Sequence, residues 1–209
     1  MKYTPLAKIT LVFWLAVGSL LVAAPLKAES IIKRPGDHPS YAFELDPHLL
    51  AQYSRLPYGG EGFGLGLRFS IPFVHNGPVP KINNNIGISF GMDFATFGDD
   101  GTCHGYGNPD FFTDHCGATT LWFPVAGQWN FFLTPVISVF GEFGLAARYS
   151  RWWYEGPCNN GGDCSYSAHQ SDFFEPVFWG GGRFLFGKSA GLTVRLGWPY
   201  ISVGASILF

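Results

Sequence analysis

Between Gly62 and Phe73 the chain reads GFGLGLRFSIPF. Phe63, Leu65, Leu67, Phe69, Ile71 and Phe73 take every second position, and Gly62, Gly64, Gly66, Arg68 and Ser70 lie between them. A helix would scatter those apolar side chains around its circumference, whereas a strand delivers all of them to one face. The opposite face is then small, polar or charged. The same period recurs outward along the chain. Ile86, Ile88, Phe90, Met92 and Phe94 alternate with Gly87, Ser89, Gly91 and Asp93. Leu121, Phe123, Val125, Trp129 and Phe131 alternate with Ala126, Gln128 and Asn130, and Val139, Phe143, Leu145, Ala147 and Tyr149 with Ser138, Glu142, Gly144, Ala146 and Arg148. Further runs follow at Phe174, Phe178, Phe184 and Phe186 against Glu175, Gly181 and Arg183, and at Leu192, Val194 and Leu196 against Thr193 and Arg195. The last is Ile201, Val203, Ala205, Ile207 and Phe209, set one residue out of step by a tight turn at Trp198 and Pro199. The weakest is the first, Tyr41, Phe43, Leu45, Leu49 and Tyr53 against Glu44, Asp46, His48 and Gln52, because Pro47 falls on its apolar face.

About eight strands result, the smallest number common in bacterial outer-membrane barrels. Short connections (Gly187 to Ala190, Thr134 to Val136, His75 to Asn84) fall at one end, and long ones (Thr96 to Ala118, Ser150 to Ser171) at the other. That sidedness is the rule for such barrels and requires an even count. Composition agrees. Aromatics make up 18% of the 209 residues, with 21 Phe, 9 Tyr and 7 Trp, while charged residues reach only 13%. The usual charged share is roughly 25%, and a soluble domain could not easily hide so many rings behind so few charges. The fold class expected is all-β: an antiparallel up-and-down transmembrane β-barrel.

The first residues read as an export signal. Lys2 and Lys8 precede an apolar run from Ile9 to Ala24, and Ala28 offers a small residue for cleavage. The run is shorter than the ~20 residues a spanning helix prefers. The organisation expected is therefore a signal peptide over 1–28, an N-terminal periplasmic segment over 29–40 and the barrel over 41–209, placing the mature chain in a bacterial outer membrane after export across the inner membrane. Cys103 with Cys116, and Cys158 with Cys164, fall one pair to each long loop. In an oxidising exterior that spacing points to two local disulfides rather than to a metal held with His104 and His115.

The chain ends Ser202-Val-Gly204-Ala-Ser-Ile207-Leu-Phe209. With its polar residue, its glycine two places on and its terminal aromatic, this end resembles the C-terminal β-signal of bacterial outer-membrane proteins at Ser202, Gly204, Ile207 and Phe209. The architecture is similar to the small OmpA- and OmpX-type barrels. The resemblance implies two partners, outer-membrane lipid and the barrel assembly machinery during biogenesis.

If the apolar faces meet lipid, the interleaved residues fill the lumen. Glu44, Asp46, His48, Arg68, Asp93, Glu142, Arg148, Glu175, Arg183 and Arg195 then form an ion-pair network, since an interior this narrow cannot leave charges bare. Arg148→Ala is expected to lower thermal stability without opening a conducting path. Tyr58, Trp122, Trp152, Trp153, Tyr154, Trp179, Trp198 and Tyr200 are candidates for interfacial girdles, and Trp152, Trp153 and Tyr154 alternatively for a recognition patch. No G-x-S-x-G or H-E-x-x-H string occurs, and the loop residues His104, Asp110, Asp114, His115, His169 and Asp172 show no catalytic spacing. The net charge of -2, with no basic stripe, speaks against a nucleic-acid partner. The reading is a non-catalytic barrel, without cofactor, metal or catalytic residues, with a structural or interaction role: it stabilises the envelope or presents stapled outer loops to a protein partner there. A narrow porin-like channel for ions or small solutes is the alternative, and a surface enzyme a third.

Overall fold

A computed structural model describes residues 29–53, 61–97, 103–104, 112–113, 115–157, 163–187 and 189–209. Eight strands close an antiparallel barrel: β1 (Glu44–Gln52), β2 (Gly62–Val74), β3 (Asn84–Phe97), β6 (His115–Phe132), β7 (Ile137–Pro157), β8 (Asp163–Leu185), β9 (Ala190–Trp198) and β10 (Tyr200–Leu208). Two short strands, β4 (Cys103–His104) and β5 (Phe112–Thr113), pair as a separate ribbon between β3 and β6. Order around the ring follows order along the chain, and β1 closes it against β10 through pairs such as Leu49↔Val203. Among the described residues no helix is long and apolar enough to cross a membrane.

The period-two pattern places side chains as a membrane barrel requires. Phe63, Leu65, Ile71 and Phe73 on β2 are exposed outward, while Arg68 and Ser70 between them are buried. Polar inside and apolar outside is the inverse of a soluble sandwich, and a closed sheet leaves no free edge within the hydrocarbon. Pro47 is accommodated because its ring faces outward. The ladder to β10 skips Asp46 and Pro47 and resumes at His48 in unchanged register. At one end lie both ends of the barrel chain and the short turns, here called the lower end. At the upper end β9 and β10 are joined through Pro199 alone.

The long connections are shorter than the sequence pattern suggests. The stretch from Ser150 to Ser171 reads as a loop, yet β7 continues to Pro157 and β8 begins at Asp163. Likewise β6 begins at His115, within the expected loop Thr96 to Ala118. Polar, tryptophan-rich sequence hides these strands because, beyond the apolar belt, neither face has to meet lipid and alternation is no longer imposed. β9 has 9 residues, the length of a bare membrane crossing, against 21 in β7 and 23 in β8. The barrel therefore has one low wall, at β9, β10 and β1, and a tall β-hairpin rising from β7 and β8.

Residues 29–43 run beneath the lower end. The Ile31 amide donates to the Leu133 carbonyl at 3.0 Å, the Asn83 amide to the Ile32 carbonyl at 2.7 Å, and the Ala42 amide to the Phe209 carbonyl at 2.5 Å. The His38 ring stacks on Phe132 at 4.5 Å, and Ile31 and Tyr41 are buried. This strap ties the lower turns to one another and to the chain terminus.

Candidate functional site: the lumen and the upper hairpin

The lumen is layered. Its upper layer is apolar, made of Leu50, Phe97, Trp122, Val177, Trp179 and Tyr200 with Ala95, Ala118 and Ala146. Its lower layer is Tyr41, Leu185 and Leu208. The charges lie between them. Arg195 Nη1 donates to Asp46 Oδ2 at 2.5 Å, and its Nε to Glu142 Oε2 at 3.3 Å. Arg68 donates to Asp93 Oδ2 at 2.9 Å, to Tyr200 Oη at 2.5 Å and to Glu142 Oε2 at 3.4 Å. Arg183 Nε reaches Glu44 Oε1 at 2.8 Å, and its Nη2 bonds the second oxygen of the same carboxylate, the bidentate fork that arginine makes best. His48 Nε2 lies 3.0 Å from Asp93 Oδ1, an ion-pair contact without hydrogen-bond alignment, while its Nδ1 lies 3.1 Å from the Asp46 carbonyl. The Arg68 guanidinium stacks over Trp179 at 4.8 Å and that of Arg195 over Phe140 at 5.2 Å. Glu44, Asp46, Asp93 and Glu142 face Arg68, Arg183 and Arg195, and a protonated His48 makes the charges equal in number.

Glycines make this packing feasible. A Cβ on Gly66 would overlap the Asp93 carboxylate and the His48 imidazole. One on Gly204 would overlap Asp46 Oδ1 and lie 2.6 Å from His48 Cβ. Gly204, which resembles the glycine of an assembly signal, thus also has a steric role in the folded barrel.

Arg148 and Glu175 belong elsewhere. They lie above the apolar layer, near the upper rim, where Arg148 Nη2 is 2.5 Å from Asp172 Oδ2 and 3.3 Å from Glu175 Oε1, and the guanidinium covers Trp122 at 5.4 Å. Both side chains of the Arg148–Glu175 pair are partly exposed, at 17% and 28%, so water screens them. Arg148→Ala is accordingly expected to cost no more than about 1 kcal/mol of unfolding free energy in detergent, checked by urea titration. A test of the deep network has to be made at Arg68, Arg183 or Arg195.

Tyr200 is the functional side chain that the sequence reading assigns to the wrong face. Its hydroxyl donates to Asp93 and accepts from Arg68, and its ring packs 5.1 Å from Trp179. Trp122 and Trp179 are likewise buried inside and contribute nothing to a girdle. Parity was the available signal: Tyr200 shares its face with Ser202, Gly204 and Ser206, and Trp179 with Gly181 and Arg183. Asp172, expected in a loop, is the partner of Arg148, and Ser206 Oγ donates to Glu44 at 2.5 Å. Trp153 faces outward and is exposed, and Trp152 packs against the upper core layer. Trp198 meets Tyr53 edge to face at the low wall. Tyr58 and Cys158 lie outside the described residues. So do the side chains of Tyr154, Cys103, Cys116 and Cys164, and with them both expected disulfides.

No protein family matches the chain, and no curated protein matches it either. Among solved structures it is similar to Ail, the attachment invasion locus protein of Yersinia pestis, in complex with the heparin analogue sucrose octasulfate. The identity is 13%, over 80% of this chain and 96% of that one, with a TM-score of 0.42. A second Ail structure gives 11% identity over 82% of this chain and 99% of that one, with a TM-score of 0.46. Identity this low carries no ligand or activity across.

Proposed function

We propose that this chain is a sealed, non-catalytic barrel of a bacterial outer membrane whose activity resides in the hairpin it raises above the bilayer, presented to a protein partner of the envelope. One observation carries the reading. Glu44, Asp46, His48, Arg68, Asp93, Glu142, Arg183 and Arg195 are none of them more than 4% exposed, and they are enclosed by apolar layers above and below. A water-filled path would wet those groups. With transport disfavoured, the chain still extends β7 and β8, 21 and 23 residues long, by roughly two dozen residues beyond the ~10 that each crossing needs, and that investment favours a role outside the membrane.

On this reading residues 1–28 are the export signal, the lower end with residues 29–40 faces the periplasm, and Ser202, Gly204, Ile207 and Phe209 are read by the assembly machinery. The pairs Cys103–Cys116 and Cys158–Cys164 staple the upper connections. Catalysis is disfavoured by the placement of two candidates: His169 faces outward beside Tyr149, whereas Asp172 faces inward, bound by Arg148 and Gln170.

Two measurements test the proposal. Purified barrel in planar bilayers is expected to give no single-channel steps, and reproducible steps would favour the porin-like alternative. Replacing residues 153–167 by a short turn, which keeps Trp152 and its partner Ala168, is expected to leave the urea midpoint of the barrel nearly unchanged while abolishing retention of its envelope partner. Unfolding of the trimmed barrel would mean that the hairpin is structural.

A further inference from the structure

The two ends of the barrel carry opposite charge. The upper connections 53–61 and 98–114, with the hairpin 147–175, hold nine aspartates and glutamates against Arg55, Arg148 and Arg151 as their only lysines or arginines. Glu155 and Asp163 belong to that excess. The lower end has Lys33, Arg34, Lys81 and Lys188 against Glu29 and Asp37. The buried charges of the lumen pair with one another. The field above the bilayer is therefore negative and draws cations toward it.

At the foot of the hairpin, on its inner face, this excess has a defined place to act. One guanidinium, Arg148, serves two carboxylates there, Asp172 at 2.5 Å and Glu175 at 3.3 Å. Gln170 donates to both Asp172 oxygens, at 2.8 and 3.0 Å, and so fixes that carboxylate. Glu175 has the longer contact and is partly exposed. Next above Arg148 on the inward row, Ser150 lies opposite Gln170. It is 2% exposed, and its hydroxyl has no partner among the described residues. A buried hydroxyl left unpaired is costly, and a polar group entering from above would satisfy it. Trp152, the following inward residue, is partly buried against the upper apolar layer. Access is open over the low wall, because β9 ends at Trp198 opposite Phe178, below Glu175 along β8.

We propose that the inner foot of the hairpin takes a lysine or arginine side chain from a basic segment of a polypeptide partner. The proposal rests on the hairpin being the docking element and names the chemistry of what docks. A cation that only donates fits the acceptors present, the Asp172 and Glu175 carboxylates and the Ser150 hydroxyl oxygen. The Trp152 indole beside them adds cation–π attraction. A divalent metal fits less well. Calcium takes roughly six to eight oxygen ligands, and among the described residues no group of three or more His, Cys, Asp or Glu could hold an ion. Acids spread over two connections and the hairpin favour a partner with several cations over a small molecule with one. With one cation anchored at the foot, the rest of the segment lies along residues 153–167, whose removal costs it most of its hold.

The test titrates the full mature barrel, in neutral detergent micelles, with oligolysine, with oligoglutamate of the same length and with calcium chloride alone. Binding is read from backbone amide shifts at 148–152 and 170–175. Oligolysine is expected to move them, with affinity falling about tenfold or more between roughly 0.05 and 0.5 M NaCl as screening sets in. Oligoglutamate is expected to leave them unmoved. Two rim variants are expected to act with opposite signs. Glu175→Gln weakens oligolysine about three- to fivefold, whereas Arg148→Ala, which removes a repelling charge and frees a carboxylate, tightens it by a similar factor. A merely structural role would make both variants weaker. Loss of affinity in Arg148→Ala, or equal binding of oligoglutamate, would overturn the proposal. Calcium moving the same amides with equal sensitivity to Glu175→Gln would overturn it too, by making the foot a metal site. Should oligolysine fail to bind while the trimmed hairpin still abolishes partner retention, docking stands and the chemistry assigned to it is wrong. If trimming has no effect either, the functional reading fails as well.

Discussion

Arg195→Met is expected to remove about 3–5 kcal/mol of stability, a large part of the roughly 5–15 kcal/mol that a native domain possesses. Methionine restores volume but leaves Asp46 and Glu142 in a dry interior with a cation gone. Asp46 loses its closest cation, and among the described residues Glu142 retains the Gln128 amide and the 3.4 Å contact from Arg68. Folding into micelles, followed by urea titration with tryptophan fluorescence, reads the effect. Replacing Glu142 by Gln in the same chain is expected to recover part of the loss, because it removes one of the two stranded charges. A variant as stable as the parent would show that the lumen admits water and that the charges were never dry. The contrast with Arg148→Ala, whose partners Asp172 and Glu175 are partly exposed, makes the pair of measurements a gauge of depth.

Gly204→Ala is expected to cost about 1–3 kcal/mol, by overpacking. The added methyl group would overlap Asp46 Oδ1, lie 2.7 Å from the Pro47 carbonyl oxygen and push on His48 at the same time, and backbone cannot retreat as a long side chain can. Refolding of the purified chain separates this from a role in assembly. If Gly204 serves only as a signal read by cellular machinery, the alanine variant refolds from urea into micelles like the parent and fails only in cells. If packing dominates, the defect appears in both. Gly66→Ala, which crowds the imidazole of the same histidine from β2, is expected to behave alike in vitro, although no signal is proposed there.

Much of this was legible in the sequence for one physical reason. A closed sheet between lipid and a narrow polar core imposes alternation residue by residue, so Gly62 to Phe73 reveals its strand, its two faces and the membrane together. The same constraint made Arg68, Arg183 and Arg195 recognisable as interior, since a charge at an inward position of a small barrel has to be paired. Where the constraint lapses, the signal lapses too. Above the apolar belt β7 and β8 continue through Ser150, Trp152, Ser167 and Gln170 with no lipid to enforce a pattern, and the stretch reads as loop. Aromatic rings were ambiguous for a related reason: Trp and Tyr suit both an interfacial girdle and a plug, and only the closed barrel put Trp122, Trp179 and Tyr200 inside.

Sequence alone therefore determined the strands within the apolar belt and the faces of their alternating residues, because these follow from local alternation; it did not show that Arg148 and Glu175 sit at the rim apart from the buried charges. Only the tertiary structure decided which carboxylate each arginine meets, since Arg195 on β9 joins β1 to β7 across the lumen and pairing across a ring depends on the shear of the whole sheet. It also decided that β8 outruns β9, a difference between strand lengths that no single strand contains.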